Sequence, residues 1–210
     1  MDTAMQLMTG VSLAACAGMR AWFPLLVAGV LARFHYLPLN HQFDFLSSDG
    51  ALLVFAILSV LEFMGDKVIA VDHLLDVVGT FVRPAAGAVL ASSTLKGMDP
   101  AMASALGLVL GGGAALTVHS GKAAVRAKST ALSPLHLGLG NAGISTVEDF
   151  LAAGGAVLAV FHPAVAFGFA ILGILFAVCM VYLFIHTGKK LIQLFSRGRS
   201  AFRASSKPPI

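Results

Sequence analysis

The sequence predicts an all-α polytopic membrane protein with about six transmembrane or re-entrant helices. Its composition favours this class: 58% of the 210 residues are hydrophobic and only 11% are charged, against ~25% charged residues in an ordinary soluble domain. A soluble domain of this length leaves roughly a quarter to a third of its chain surface exposed, too much for so apolar a composition. In a bilayer, lipid covers the apolar faces and helices satisfy their own backbone hydrogen bonds.

Six apolar segments provide the predicted helices. They are residues 5–31 (interrupted by Arg20), 50–63, 74–95 (interrupted by Arg83-Pro84), 100–119, 144–161 and 164–186. The last segment has 23 residues, which is enough to span a bilayer. The third and fifth are weaker, and for them a re-entrant arrangement stays open. His162-Pro163 is the expected turn between the last two segments.

The placement of Lys and Arg predicts the orientation. Six of the 14 basic residues follow the last apolar segment: Lys189, Lys190, Arg197, Arg199, Arg203 and Lys207. This tail and residues 122–128 are predicted to be cytoplasmic, which places both termini in the cytoplasm. Because the basic residues form no patch interleaved with aromatic residues, we expect membrane lipid as the partner and not nucleic acid.

Two halves of similar organisation are predicted, residues 1–97 and 98–188, followed by the basic tail 189–210. Ten positions separate Gly10 from Arg20, and ten separate Gly112 from Lys122. Three segments in each half give opposite directions across the membrane, which is the 3+3 inverted-topology plan of many secondary transporters. The Gly111-Gly112-Gly113 run indicates a close helix–helix contact.

Charge is concentrated in residues 62–76, which contain Glu62, Asp66, Lys67, Asp72, His73 and Asp76. Glu62 follows twelve uncharged residues, so its side chain starts in apolar surroundings, where an ionisable group costs ~2.5–3.5 kcal/mol unless it is paired or hydrated. One interpretation is a solvated cytoplasmic loop. The other is a polar cavity that binds a cation, relays a proton, or pairs its acids with Arg20 and Arg83.

Arg20 lies within the first apolar segment, shortly before Pro24. It either reaches an interface, or pairs inside with Glu62 or Asp66, or holds an anionic substrate. Pro24 is expected to break this helix, and Pro84 is expected to break the third segment in the same way.

The second half contributes the secondary candidates Lys122, Arg126, Glu148 and Asp149. Lys122 and Arg126 share a helix face because they are four residues apart. Ser145 and Glu148 have the spacing of a capping box, which predicts a helix that begins at Ser145.

The motifs Gly18-x-Arg20, Glu62-x3-Asp66-Lys67-x4-Asp72-x3-Asp76, Arg83-Pro84-x2-Gly87 and Lys122-x3-Arg126 resemble those of a bacterial family of small integral-membrane proteins known only as a domain of unknown function. The resemblance covers about residues 8–190. It implies a multi-pass fold in the bacterial inner (plasma) membrane and supplies no activity.

A transporter or channel, coupled to a cation or a proton, is the function that these features favour. Glu62, Asp66 and Asp72 would bind the cation or proton, and Arg20, Lys67 and Arg83 would pair with them or hold a small anionic substrate. Asp76 is included in the same set of candidate substrate- or ion-binding residues. A non-transporting assembly or scaffold protein is the alternative. A metal-dependent membrane-embedded lipid enzyme is a second alternative, and an enzyme is less favoured than a non-enzyme. A bound cation is the one cofactor considered, and a homo-oligomer is left open.

Overall fold

The computed structural model describes residues 2–65, 69–132 and 139–205, without the side chains of 69–73, 127–144 and 189–205. Within these residues all regular secondary structure is helical and no strand is present, which confirms the all-α class. The α-helices are α1 (Thr3–Met19), α2 (Trp22–Arg33), α3 (Asp49–Gly65), α4 (Ile69–Thr94), α5 (Pro100–Leu106), α6 (Gly113–Leu132), α7 (Leu139–Phe161) and α8 (Pro163–Ser205). A 3-10 helix (His41–Ser47) precedes α3, and a π-helical turn (Gly107–Gly112) joins α5 to α6.

Three helical stretches in the described part of the chain are long and apolar enough to cross a membrane. They are Leu74–Thr94, Pro100–Arg126 and Pro163–Gly188. A fourth is obtained if the pair His41–Ser47 and Asp49–Gly65, bent by 60°, counts as one span. The first apolar segment contributes α1 and α2, of 17 and 12 residues, and each is shorter than the ~20 residues of a full span. Six spans therefore remain a prediction.

Helix α1 lies in the middle of the fold, where it packs against α4, α6, α7 and α8. Leu13, Ala14 and Ala17 on α1 are completely buried. The outer helices instead expose large apolar side chains, such as Phe81, Phe150 and Phe169. A bilayer would cover such side chains, whereas a monomer in water rarely exposes so many.

The predicted close contact of the glycine run is confirmed at the π-helical turn. A Cβ added to Gly87 on α4 would lie 2.7 Å from the carbonyl oxygen of Gly111, so the two backbones touch. Gly113 has open space around its Cα and takes no part in this contact. The contact joins the two predicted halves along α4.

The structure differs from the prediction at both prolines that were expected to break a helix. Helix α4 continues through Pro84, so the expected break at Arg83-Pro84 is wrong. Packing of α4 against α1 and the π-helical turn offsets the hydrogen bond that proline removes. Pro24 lies in the first turn of α2, where its missing N–H has no partner within the helix. The interruption of the first segment therefore lies before Pro24, at Arg20.

The capping box predicted at Ser145 is also wrong, because α7 begins at Leu139 and carries Ser145 and Glu148 in its interior. Both side chains serve the charged cluster described below instead of a helix end. The turn predicted at His162-Pro163 is confirmed, since α7 ends at Phe161 and α8 begins at Pro163.

Candidate functional site

The candidate site is built around the interruption between α1 and α2. Arg20 has extended backbone angles (φ −137°, ψ 119°) and ends α1. The first backbone N–H groups of a helix have no partner within it. Here the N–H groups of Ala21 and Trp22 donate to Glu62 Oε1 and Oε2 at 3.2 and 3.4 Å. Glu62 on α3 thus places a carboxylate at the N-terminus of α2, where the helix dipole favours negative charge.

The C-terminal end of α1 faces a positive charge. Lys122 on α6 donates from Nζ to the carbonyl oxygen of Met19 at 3.2 Å, and the same ammonium lies 2.8 Å from Glu148 Oε2. A cation is favoured at a helix C-terminus for the same electrostatic reason that an anion is favoured at an N-terminus. The C-terminus of α1 and the N-terminus of α2, which meet at the interruption, are therefore both stabilised by charges from other helices.

The guanidinium of Arg20 joins α3 and α7. Its Nη1 donates to the carbonyl oxygen of Glu62 at 3.1 Å, one of the last four carbonyls of α3, which lack partners within that helix. Its Nη2 donates to Ser145 Oγ at 2.9 Å and lies 2.7 Å from Asp149 Oδ1. Arg20 is buried and therefore does not reach out to an interface. Among the described residues it pairs with the carboxylate of Asp149 and contacts Glu62 through the backbone carbonyl, whereas the predicted pairing with Asp66 lies outside the described residues.

Arg83 on α4 continues the network. Its Nη2 lies 3.6 Å from Glu62 Oε1, and its Nη1 lies 3.5 Å from Asp76 Oδ1. Nη1 also donates to Nδ1 of His119. Because Nδ1 accepts this bond, the imidazole is neutral with its proton on Nε2, and Nε2 can donate to Thr80 Oγ1 at 3.3 Å.

Arg126 on α6 closes the network from the other side. Its guanidinium lies 3.5 Å from Asp76 Oδ2 and 3.3 Å from Glu148 Oε2. Asp76 thus lies between a base of α4 and a base of α6. The charged cluster, as the term is used from here on, is Arg20, Glu62, Asp76, Arg83, Lys122, Arg126, Glu148 and Asp149.

Charges in the charged cluster balance among the described residues, with four bases and four acids. Six of the eight side chains are at most 11% exposed; Asp149 is 22% exposed and Asp76 32%. Buried charges are tolerated when they are paired and hydrogen-bonded, and each acid here has a base within 4.0 Å. The two more exposed acids form the edges of the cluster, where water or a ligand could reach it.

A cavity of about 510 Å³ adjoins the charged cluster between α2, α3 and α7. Arg20, Glu62 and Asp149 line its polar end, together with Ser59. The remaining walls are mostly apolar, as with Phe23, Leu26, Val60 and Phe150. The cavity is within the size range of small-molecule sites.

A comparison with family models gives a match over most of the chain. The model of the domain of unknown function DUF4126 matches residues 7–182. The chain belongs to the DUF4126 family. No curated protein and no solved structure matches it. The resemblance to an uncharacterised family is therefore confirmed, and the activity of this DUF4126 chain has to be argued from its geometry.

The structure brings together eight of the predicted site residues. They are Arg20, Glu62, Asp76 and Arg83 from the primary set, and Lys122, Arg126, Glu148 and Asp149 from the secondary set. The side chains of Asp66, Lys67 and Asp72 lie outside the described residues, and their proposed roles stay predictions. Lys122 and Arg126 are buried, so they do not form the exposed basic stretch on which the predicted orientation relied.

Sequence reasoning missed the roles of His119, Thr80 and Ser145 as hydrogen-bond partners of the DUF4126 charged cluster. One signal pointed to His119, because it precedes Lys122 by three residues and Arg126 by seven, which places all three on one helix face. Among the described residues, no group of three or more His, Cys, Asp or Glu side chains is arranged to hold a metal ion. A bound cation stays a prediction.

Proposed function

We propose that this chain is a small integral-membrane transporter or channel, and that its charged cluster moves, or couples to, a proton or another cation. The interruption of the first apolar segment inside the charged cluster is the observation that carries the proposal. Discontinuous helices supply free backbone groups for ions in secondary transporters. Ionisable side chains in membrane-spanning segments are costly, and they commonly mark ion and substrate pathways.

Asp76 is the acid best placed to exchange a proton. Its side chain is the most exposed of the charged cluster, and its contacts with Arg83 and Arg126 are both 3.5 Å long. Protonation of Asp76 would remove the carboxylate that these two guanidiniums share. Because one base belongs to residues 1–97 and the other to 98–188, this would loosen a contact between the two halves, which is the kind of change that alternating access requires.

The proposal includes a 3+3 inverted repeat of residues 1–97 and 98–188, a location in the bacterial inner membrane, and cytoplasmic termini. The repeat is supported by the equal contribution of the halves, since each supplies two bases and two acids to the charged cluster. The first half supplies Arg20, Glu62, Asp76 and Arg83, and the second half supplies Lys122, Arg126, Glu148 and Asp149. A cytoplasmic C-terminus is supported by the six basic residues of the tail 189–210.

Ion flux into liposomes tests this function. The purified full chain is reconstituted into vesicles that enclose fluorescent indicators for H⁺, Na⁺ or K⁺, and a gradient of each ion is imposed in turn. We expect at least one ion to enter several times faster than it enters protein-free vesicles prepared in parallel. The proposal would be overturned if each of the three ions entered the protein-containing vesicles no faster than the protein-free ones.

A non-transporting assembly protein is the second candidate. The observation that favours it is the charge balance of the charged cluster, because paired buried charges can fix how helices meet. In that case, neutralising Glu62 would lower the yield of folded protein, and the protein would carry no flux of these ions.

A further inference from the structure

Beside the charged cluster, the cavity between α2, α3 and α7 has one polar end and one open apolar side. Its rim residues Val60, Phe63 and Phe150 are 56%, 47% and 75% exposed. In a membrane-spanning chain, exposed apolar residues face lipid. A molecule that enters this cavity therefore comes from the acyl-chain region, with an apolar body that fits the walls.

The polar end of the cavity holds a hydroxyl group that is available for a ligand. Ser59 is 8% exposed and lines the cavity, and its Oγ has no hydrogen-bond partner among the described residues. Ser12 offers a contrast. It lines a second, comparable cavity of about 400 Å³, and its Oγ donates to the carbonyl oxygen of Met8 at 2.6 Å. A buried hydroxyl without a hydrogen-bond partner costs free energy. A ligand that forms a hydrogen bond with Ser59 removes this cost and therefore binds more tightly.

The charges at this end limit the kind of head group. Arg20 pairs with Asp149, and Glu62 accepts from the backbone of α2 while it faces Arg83. Because the bases and acids of the charged cluster balance among the described residues, a charged head group would be left without a counter-ion in a site of low polarity. An uncharged head that both donates and accepts hydrogen bonds meets no such cost.

We propose that this cavity binds an uncharged single-chain amphiphile with a hydroxyl-bearing head, of the monoacylglycerol type. The head lies against Ser59 and the carboxylate of Asp149, and the chain lies along Phe23, Leu26 and Val60. This binding does not require transport, so it stands or falls separately from the function proposed above.

Photolabelling tests the proposal. The full chain in lipid vesicles is labelled with a monoacylglycerol that carries a diazirine in its chain, and labelled peptides are mapped by mass spectrometry. Labels are expected on the peptides of α3 and α7 that contain Val60 and Phe150. Unlabelled monooleoylglycerol should compete, whereas oleic acid and oleylamine, with the same chain and charged heads, should compete at least several times more weakly.

Two matched variants separate the head contact from the cavity itself. Ser59→Ala should weaken competition by monooleoylglycerol about fivefold, the value of one hydrogen bond, without changing the melting temperature of the protein by more than a few degrees. Ala56→Leu fills this cavity and should abolish labelling, whereas Gly173→Leu, which fills the second cavity, should leave it unchanged. The proposal is overturned if monooleoylglycerol competes equally well on Ser59→Ala and on the parent, or if oleic acid or oleylamine competes as strongly as monooleoylglycerol. It is also overturned if Gly173→Leu and Ala56→Leu have the same effect on labelling.

Discussion

Arg20 and Asp149 form an ion pair with 2.7 Å between Nη2 and Oδ1, although 129 positions separate them in the sequence. Arg20 ends the first helix, and Asp149 lies in the interior of α7. This pair holds the interrupted end of α1 against the second half of the chain. Together with the contacts of Glu62 and Lys122, it links the interruption to the charged cluster.

A double-mutant cycle on this pair should show strong coupling. We expect Arg20→Gln and Asp149→Asn to be non-additive in the free energy of unfolding by about 1–3 kcal/mol, because the two groups touch and Arg20 is buried. Titration of the protein from mixed micelles with SDS measures the free energies. The exposed pair of Arg33 and Asp49 is the matched control, with an expected coupling of about 0–1 kcal/mol. Equal coupling in the two cycles would refute the structural role of Arg20.

Lys122→Met should destabilise the protein by removing the charge at the C-terminus of α1. The variant leaves the carbonyl oxygen of Met19 without its donor and removes one base from Glu148. The expected loss is about 1–3 kcal/mol in the same titration. Lys96→Met, at an exposed lysine, should change the stability by less than about 0.5 kcal/mol. If the two variants were equally stable, Lys122 would not stabilise the end of α1.

Two glycines of α6 should respond to alanine with opposite signs. A Cβ at Gly121 would lie 2.5 Å from the Cα of Ala177 on α8, whereas a Cβ at Gly113 meets nothing within 4 Å. Gly121→Ala should therefore lower the melting temperature, because the two backbones must separate. Gly113→Ala should leave it unchanged or raise it, since alanine favours the helix by up to ~1 kcal/mol. A lower melting temperature for Gly113→Ala alone would contradict the packing of α6 against α8.

The composition and the apolar segments were enough to predict the helical class and to select eight residues that the fold brings together. Glu62 could be selected because a charge that follows twelve uncharged, mostly apolar residues is costly in a membrane. Arg83 was among the bases predicted to pair with these acids, and it lies beside Glu62. Asp149 could not be selected as a partner of Arg20, because their contact depends on how α1 and α7 pack in three dimensions.

The ends of the helices were the least predictable feature. Pro24 and Pro84 looked equivalent in the sequence, yet one lies in the first turn of α2 and the other within the continuous α4. A proline shows that a backbone N–H is missing, but the packing around it decides whether the helix breaks. The capping box at Ser145 failed for a similar reason, since its two polar side chains bond to other helices.

Ion flux through Asp76→Asn tests the central claim most directly, because Asp76 bridges the two halves and is the most exposed acid of the charged cluster. The control is Asp49→Asn, which removes an equal charge from an exposed surface pair. Both variants and the parent are reconstituted in equal amounts into vesicles that enclose the indicator for the ion that the parent moves. The account predicts that Asp76→Asn loses most of the flux and that Asp49→Asn keeps it. Flux through Asp76→Asn equal to that of the parent would contradict the assignment of transport to the charged cluster.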